Sequence, residues 1–583
     1  MDSARVSIQS PRPNTRGLAA FVAKPGTVEV LVGVLALLAY VGTVAFGFVY
    51  DDTVQIVQNP AIRHWGSALR YFHKDVWAGL ATRGTATFYR PLFMLWLRLN
   101  DAWFGLQPAG WHAAAVVLHA IASVLVCRLA ARLTQSRAAA CAVGILFALH
   151  PVHVESVAWV SGATDSLMTA FICGAVLSYL EFGRGGKRRF LAWSVVLACL
   201  ALLTKETAVL LPLLLGASFL GDEGGWRRLA TTKSLLIFFG LDGVYLAIRH
   251  VALHGAQPFA NMTIGQMILT WPVVLAFYLG QLVLPLRLSL YRDLFAVHSA
   301  LEPRFFVALV LLSATAALLW WWARRSSRRG LIVAACAWLL VPLLPVLNLR
   351  VFTPGQLVHD RYLYLPSVGF SLLVVVAALD LLERFASGRV WKFGSALVVA
   401  TSLVYVVVVF ANQVVWASDL LLYRHSVEIA PRNAVAAMNL GFAYVRKGDL
   451  DHGISWLERS AQLDGENADI QLNLAEAYYF KGKFPAASQC IRRSLERDPQ
   501  RPQGWLLASE IALDSGDSEA ALAAAQRAQQ LWPDGPGYHA MVGFVHWRRG
   551  DRSAAEEAFR QELSLHPDYQ QARVALENLN AGK

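Results

Sequence analysis

Two adjacent carboxylates stand at the end of the first long apolar stretch of the sequence. Asp51 and Asp52 follow Phe48-Val49-Tyr50 directly. Like charges this close raise the proton affinity of one of the two acids, and carboxylates at a membrane boundary are energetically costly. One of them is therefore suited to act as a general base, while the other binds an acceptor, a sugar or a metal. The alternative is that the pair only marks the membrane interface.

A second polar group lies between two later apolar stretches. The run His150-Pro151-Val152-His153-Val154-Glu155 opens it, and Asp165 closes it. His153 and Glu155 are of the types that ligate a metal, but no clear third ligand accompanies them. Hydrogen bonding to a sugar or an acceptor is the more modest interpretation.

Two cationic positions complete the set. Arg361 lies just before an apolar stretch, where its guanidinium is suited to hold a lipid phosphate through two parallel hydrogen bonds. A headgroup anchor between interfacial tyrosines is the alternative. Lys205 offers a second cation, and a simple ion pair with its neighbour Glu206 is the alternative there.

The elements that position these residues are apolar helices. The chain has 583 residues, of which 56% are hydrophobic and 16% charged, whereas roughly 25% are charged in soluble proteins. A wholly soluble protein is thus excluded. Stretches of about 20 apolar residues are long enough to cross a bilayer as helices. We predict about eleven transmembrane helices, at 27–49, 110–133, 138–150, 166–182, 190–204, 206–220, 234–252, 304–322, 331–347, 366–382 and 394–415.

Charge predicts the orientation of these helices. Residues 1–417 hold 34 Lys and Arg against 18 Asp and Glu, whereas residues 418–583 hold 18 against 22. Because basic loops stay on the cytoplasmic side, this excess indicates topology and argues against a nucleic-acid partner. Residues 1–26 are then cytoplasmic, and the acids above share the opposite face. The apolar run 271–286 would invert that order as a further span, so we expect it to be re-entrant or interfacial.

The polar C-terminal part is a repeat array. Four glycines are spaced by 34 residues, which is the period of tetratricopeptide repeats: Gly448, Gly482, Gly516 and Gly550. We predict a half repeat at 418–431, four repeats at 434–567 and a terminal helix at 569–579, in a domain spanning 418–583. No flexible linker separates it from the membrane domain 27–417, so the solenoid should be fixed in place.

Two asparagines recur at one position of successive repeats. Asn439 and Asn473 lie 34 residues apart on the first helices of their repeats. Side-chain amides there are suited to bond a peptide backbone in the groove without reading its sequence. Ordinary polar groove residues are the alternative.

Taken in order, these motifs resemble one known family. They look like the transmembrane and tetratricopeptide-repeat-containing (TMTC-like) O-mannosyltransferases, of the C-type, polyprenyl-phosphate-sugar-dependent glycosyltransferases. The residues that carry the resemblance are Tyr50-Asp51-Asp52, Asn59-Pro60, Tyr89-Arg90-Pro91-Leu92, His150-Pro151-Val152-His153-Val154-Glu155, Lys205-Glu206 and Arg361-Tyr362-Leu363-Tyr364-Leu365-Pro366.

The resemblance implies a role for each candidate residue. Asp51 would be the base that deprotonates a Ser or Thr hydroxyl, with Asp52 supporting it. The leaving lipid phosphate would be stabilised by cationic residues: Arg361, Lys205 and Arg90, the last of which could instead be structural. The sugar or acceptor pocket would be lined by His153, Glu155, Asp165 and Glu206. Some enzymes of this class use a divalent metal, but we expect no cofactor here.

The apolar stretches and the 34-residue period predict an all-α, polytopic membrane protein with a repeat solenoid, and the resemblance implies that it is an enzyme with a C-type glycosyltransferase fold. It would transfer mannose or another hexose, with inversion, from a polyprenyl phosphate to Ser or Thr of a protein bound by the repeats. The acceptor could instead be a glycolipid or polysaccharide, or the chain a non-catalytic scaffold or lipid-linked-sugar transporter. The compact array and lack of a disulfide pattern favour a bacterial-type inner membrane over the endoplasmic reticulum, with the repeats on the periplasmic or luminal side.

Overall fold

A computed structural model describes residues 26–77, 88–221, 233–253, 262–352, 355–385 and 388–581. Within these ranges the regular structure is entirely helical, and no strand occurs. The predicted all-α architecture, with apolar spanning helices followed by a helical repeat array, is confirmed. The predicted cytoplasmic segment 1–26 lies outside the described residues except for Gly26.

Nine helices in the described part of the chain are long and apolar enough to cross a membrane. Eight of them correspond to predicted spans. They are Thr27–Ala45, Pro108–Thr134, Val160–Gly185, Leu235–Ala252, Ile264–Val283, Pro303–Arg325, Arg329–Leu347, Pro366–Arg384 and Ala396–Ala417.

Three predicted spans take other forms. The stretch predicted at 138–150 is a helix, Arg137–Ala148, that bends by 49° into Pro151–Ala158. A proline at position 151 ends the first helix because it cannot continue the hydrogen-bond ladder. The stretches predicted at 190–204 and 206–220 form Arg188–Thr204, with 17 residues, and the shorter apolar helix Glu206–Gly221.

The helix Ile264–Val283 covers most of the apolar run that we expected to be re-entrant. Just before it, the Met262 carbonyl oxygen accepts a hydrogen bond from Arg350 Nε at 3.1 Å. Just after it, the Ser289 N–H donates to Asp360 Oδ2 at 3.0 Å. Arg350 and Asp360 belong to one segment between two spans, so both flanks of the helix contact the same face. By length and composition the helix could also cross a membrane, so its re-entrant or interfacial placement stays a prediction.

The C-terminal helices form the predicted pairs. Gly448 ends the first helix of its repeat with φ of +82°, and its counterparts Gly482, Gly516 and Gly550 share this left-handed conformation. Glycine adopts it without strain, which explains the spacing in the sequence. The helices are Asp419–Ile429, Ala434–Arg446, Leu450–Leu463, Ala468–Phe480, Phe484–Arg497, Pro502–Asp514, Ser518–Leu531, Tyr538–Arg548, Arg552–Leu565 and Gln570–Asn580.

The repeat array is packed against the membrane domain. Leu422 and Leu440, from its first helices, belong to the same buried apolar cluster as Tyr291 and Trp416. His425 Nε2 bonds the Leu288 carbonyl oxygen at 2.8 Å. These contacts agree with the predicted fixed junction.

Candidate active site

The paired aspartates occupy a tight turn after the first span, and they have different surroundings. Asp52 is fully buried. Its Oδ1 accepts hydrogen bonds from the Ser161 N–H at 2.9 Å and the Ser161 hydroxyl at 2.6 Å, and its Oδ2 accepts from the Val49 N–H at 3.4 Å. Asp52 therefore ties the turn to the first residues of Val160–Gly185.

Asp51 is only half-buried, and its carboxylate accepts no hydrogen bond from the described residues. Burial raises the pKa of Asp51 to about 7, although the nearby Arg361 charge opposes that shift. A carboxyl group that titrates near neutral pH is suited to accept a proton from a hydroxyl group. The two aspartates are thus separated into one structural and one available carboxylate.

Each predicted phosphate-binding cation contacts one predicted pocket acid. Arg361 Nη1 pairs with Glu155 Oε1, and the Arg361 N–H donates to Glu155 Oε2 at 3.0 Å. Lys205 Nζ contacts Asp165 Oδ1 at 2.6 Å. Arg90 holds Glu206 through two hydrogen bonds, from Nε at 2.9 Å and Nη2 at 2.5 Å.

These pairings change two sequence-based interpretations. Lys205 and Glu206 do not form an ion pair with each other, because each has its own partner in a distant segment. Glu155, Asp165 and Glu206 belong to the predicted cluster, but they orient and neutralise the cations rather than standing free toward a sugar.

Aromatic rings bring the cations together. Lys205 Nζ lies 5.6 Å from the centre of the Tyr362 ring, and the Arg361 guanidinium lies 5.2 Å from it. On its other side the Arg361 guanidinium lies 5.3 Å from the Trp159 ring. Trp159 in turn packs on Tyr50 at 5.4 Å. The Arg361 guanidinium therefore connects the Trp159 ring, which packs on the aspartate turn, with the Tyr362 ring beside Lys205.

Replacement of Lys205 by Met should lower the free energy of unfolding by about 3–5 kcal/mol, because it leaves a buried charge unpaired. Both side chains of the Lys205–Asp165 pair are only 5% exposed. Denaturant unfolding of the purified protein in detergent would measure the loss. Lys205→Met combined with Asp165→Leu should recover most of it, whereas a single variant as stable as the wild type would contradict the prediction.

His153 does not line the predicted pocket. It is fully buried, and its ring packs 4.4 Å from the Tyr364 ring centre and 4.5 Å from that of Phe147. Ser367 donates its hydroxyl hydrogen to the Tyr364 carbonyl oxygen, so His153 Nε2 is the donor in its 2.8 Å bond to Ser367. Residues two apart in a helical turn face different sides, which is why His153 points into the core while Glu155 reaches Arg361.

Asn439 does not stand free in the solenoid groove either. Its Nδ2 donates to the Tyr291 hydroxyl at 2.7 Å, which joins the first repeat to the membrane domain. This contact gives Asn439 a structural partner, and its peptide-binding role stays a prediction. Asn473, half-buried in the next repeat, makes no such contact within the described residues, and its role stays a prediction.

Sequence reasoning missed three groups around the site. Tyr291 follows the helix Ile264–Val283, where no motif marks it. Ser161 and Trp159 lie in the quoted second polar region, but only the fold shows that they contact Asp52 and Arg361. Among the described residues, no group of three His, Cys, Asp or Glu side chains is arranged to hold a metal ion.

Comparisons with known proteins match both domains. Residues 90–248 match the family described as dolichyl-phosphate-mannose-protein mannosyltransferase, and residues 472–536 match the tetratricopeptide repeat. The first match includes Arg90, Glu155, Asp165, Lys205 and Glu206.

Two relatives each match about 70% of the chain. The protein O-mannosyl-transferase F38B6.6 of Caenorhabditis elegans is 24% identical, over 70% of this chain and 58% of its own length. Protein O-mannosyl-transferase Tmtc1 of Drosophila melanogaster is 27% identical, over 71% of this chain and 59% of its own. The chain therefore spans less than two thirds of these relatives.

Among solved structures, matches fall on parts of the chain only. YrrB, described as a TPR protein with an unusual peptide-binding site, covers 34% of this chain and 98% of its own, with 17% identity and a TM-score of 0.25. MamA covers 26% of this chain and 89% of its own, with 18% identity and a TM-score of 0.24. In sequence and in its two family matches, the chain is similar to the transmembrane and tetratricopeptide-repeat-containing O-mannosyltransferases.

Proposed function

We propose that the chain is an inverting, C-type membrane mannosyltransferase that uses a polyprenyl-phosphate sugar and modifies Ser or Thr of a protein. The observation that carries the proposal is the available carboxylate of Asp51 beside the Arg361–Glu155 pair. Similarity to protein O-mannosyl-transferases supports both the sugar and the protein acceptor.

The proposed reaction is a single displacement. Asp51 accepts the proton of the acceptor hydroxyl while the hydroxyl oxygen of the acceptor bonds to the anomeric carbon of the sugar. The bond from that carbon to the phosphate oxygen breaks, and the lipid phosphate leaves with the electron pair. Attack from the opposite side inverts the anomeric centre.

Arg361 is the group best placed to stabilise the leaving phosphate. The Arg361 Nη1 atom donates to the Glu155 carboxylate, and the other guanidinium nitrogens of Arg361 donate to no acceptor among the described residues. Donors fixed in advance stabilise a developing charge without reorganising. Lys205 and Arg90, each tied to its own acid, extend this cationic surface.

The proposal also includes the side of the membrane on which the site lies. The site lies on the face reached by the repeats, which we place on the periplasmic or luminal side of a bacterial-type inner membrane. Membrane lipid surrounds the spans, and the repeats bind the protein acceptor or a partner.

The test is transfer by the purified full chain in detergent, with polyprenyl-phosphate mannose and a Ser/Thr-rich protein. We expect a hexose on Ser or Thr, located by mass spectrometry, with an anomeric configuration opposite to that of the donor. Transfer to glycolipid only would identify a different acceptor class. If no polyprenyl-phosphate sugar supports transfer, the proposal that the chain is an enzyme would be overturned, and a scaffold would be favoured.

The turnover number should depend on pH through Asp51. A base must be unprotonated to accept a proton, so kcat should rise as pH increases through about 7, the pKa of Asp51. Below that pH it should fall about tenfold per unit. Initial rates between about pH 5 and about pH 8.5 measure this. A flat profile across that range would exclude Asp51 as the base.

A further inference from the structure

Tyr50, the residue before Asp51, has an uncommon backbone conformation. Its φ is +55°, in the left-handed region that a residue with a large side chain rarely occupies. Such a conformation persists only where surrounding contacts hold it. The direction of the Asp51 side chain depends on that turn.

One contact that holds the turn comes from the half repeat. Asp419, the first residue of Asp419–Ile429, accepts a hydrogen bond from the Tyr50 N–H at 2.8 Å through its Oδ1. The two residues are 369 positions apart in the sequence. The half repeat, which follows the last span directly, therefore places a hydrogen-bond acceptor at the backbone of the aspartate turn.

A second contact comes from the first full repeat through a tyrosine relay. Asn439 Nδ2 donates to the Tyr291 hydroxyl at 2.7 Å, and Tyr291 lies close to the Tyr50 side chain. Tyr291 is 1% exposed, so this relay is shielded from water. The repeat array thus reaches Tyr50 at both its backbone and its side chain.

We infer that Asp419 and Asn439 are positioning residues of the repeat array, which hold the Tyr50–Asp51 turn in its reactive geometry. This inference rests on the proposed function only for its catalytic consequence. It gives the first repeat a role in the chemical step, separate from any capture of an acceptor by the rest of the solenoid.

Kinetics test the relay. Asn439→Ala and Tyr291→Phe should each lower kcat about tenfold, because small displacements of a catalytic group cost rate. KM for donor and acceptor should stay within about twofold of the wild-type values. If Asn439 acts through Tyr291, the double variant should be no slower than Tyr291→Phe alone. Asn580→Ala, an exposed Asn in the terminal helix, is the matched control.

The pH profile gives a readout that a general loss of folding would not move. Asp51 interacts with Asp52, Arg361, Tyr50, Tyr291 and Tyr423. Burial is what raises its pKa. If Asn439→Ala loosens the turn and admits water, the kcat midpoint should move to lower pH.

Hydrogen exchange of residues 47–56 in the full chain tests the holding contacts without any assay of transfer. Asp419→Ala and Asn439→Ala should speed exchange at Tyr50 and its neighbours, whereas Asp419→Asn, which keeps an acceptor oxygen, should not. A wild type that transfers no sugar would defeat the proposed function and leave this result intact. Unchanged exchange in both Ala variants, or additive losses of kcat in the double variant, would overturn the inference.

Discussion

Asp51→Asn should abolish sugar transfer while leaving the fold intact. The amide cannot accept the hydroxyl proton, and loss of a general base costs about 10²–10⁴ in rate. No described residue donates a hydrogen bond to the Asp51 carboxylate, so the substitution breaks no such contact. Transfer rates and thermal unfolding of the same purified samples measure the two effects.

Asp52→Asn is the matched control, because it changes the same atoms one residue away. The Asp52 carboxylate accepts three hydrogen bonds, from Ser161 and Val49. Its replacement puts an amide NH₂ group where a carboxylate oxygen accepted, so stability should fall by about 1–3 kcal/mol. Equal transfer by Asp51→Asn and the wild type would remove Asp51 from the mechanism.

Arg361→Gln should reduce transfer by about 10²–10³, the loss that follows removal of one preorganised donor to a developing anion. The same change leaves Glu155, which is 4% exposed, without its cation. Breaking a buried pair on one side costs about 3–5 kcal/mol, so the variant should also unfold more readily.

Arg361→Gln combined with Glu155→Gln separates these two effects. Both members of the pair are then neutral, and stability should recover to near the wild-type value. Transfer should stay low, because the phosphate still lacks its cation. Unfolding and transfer assays on the three proteins decide this. Recovery of transfer together with stability would show that the pair serves only the fold.

The sequence was informative about elements and about residue types. The 34-residue glycine spacing predicts the turn between paired helices, because the backbone there is left-handed and glycine adopts that conformation without strain. Apolar length predicts most spans. Both are local properties, set by residues close together in the chain.

The pairing of cations with acids within the site could not be predicted in the same way. The members of the three ion pairs lie 40, 116 and 206 positions apart, so only the packing of the spans decides which cation meets which acid. The position of Asn439 shows the same limit. Its place in the repeat is clear from the sequence, but the Tyr291 hydroxyl that it contacts belongs to another domain.

The junction also makes the two ends of the solenoid different, because only the N-terminal end is constrained by contacts with the membrane domain. Asp419 and Asn439 both contact the membrane domain. The half repeat and the first repeat must therefore fit both that domain and the next repeat. Repeats farther along contact mainly their neighbours, as in any solenoid. Distal repeats can therefore be added, removed or diversified without disturbing the contacts at the junction. If the proposed function holds, the first repeat must keep its register, because its contacts connect the rest of the solenoid to the aspartate turn.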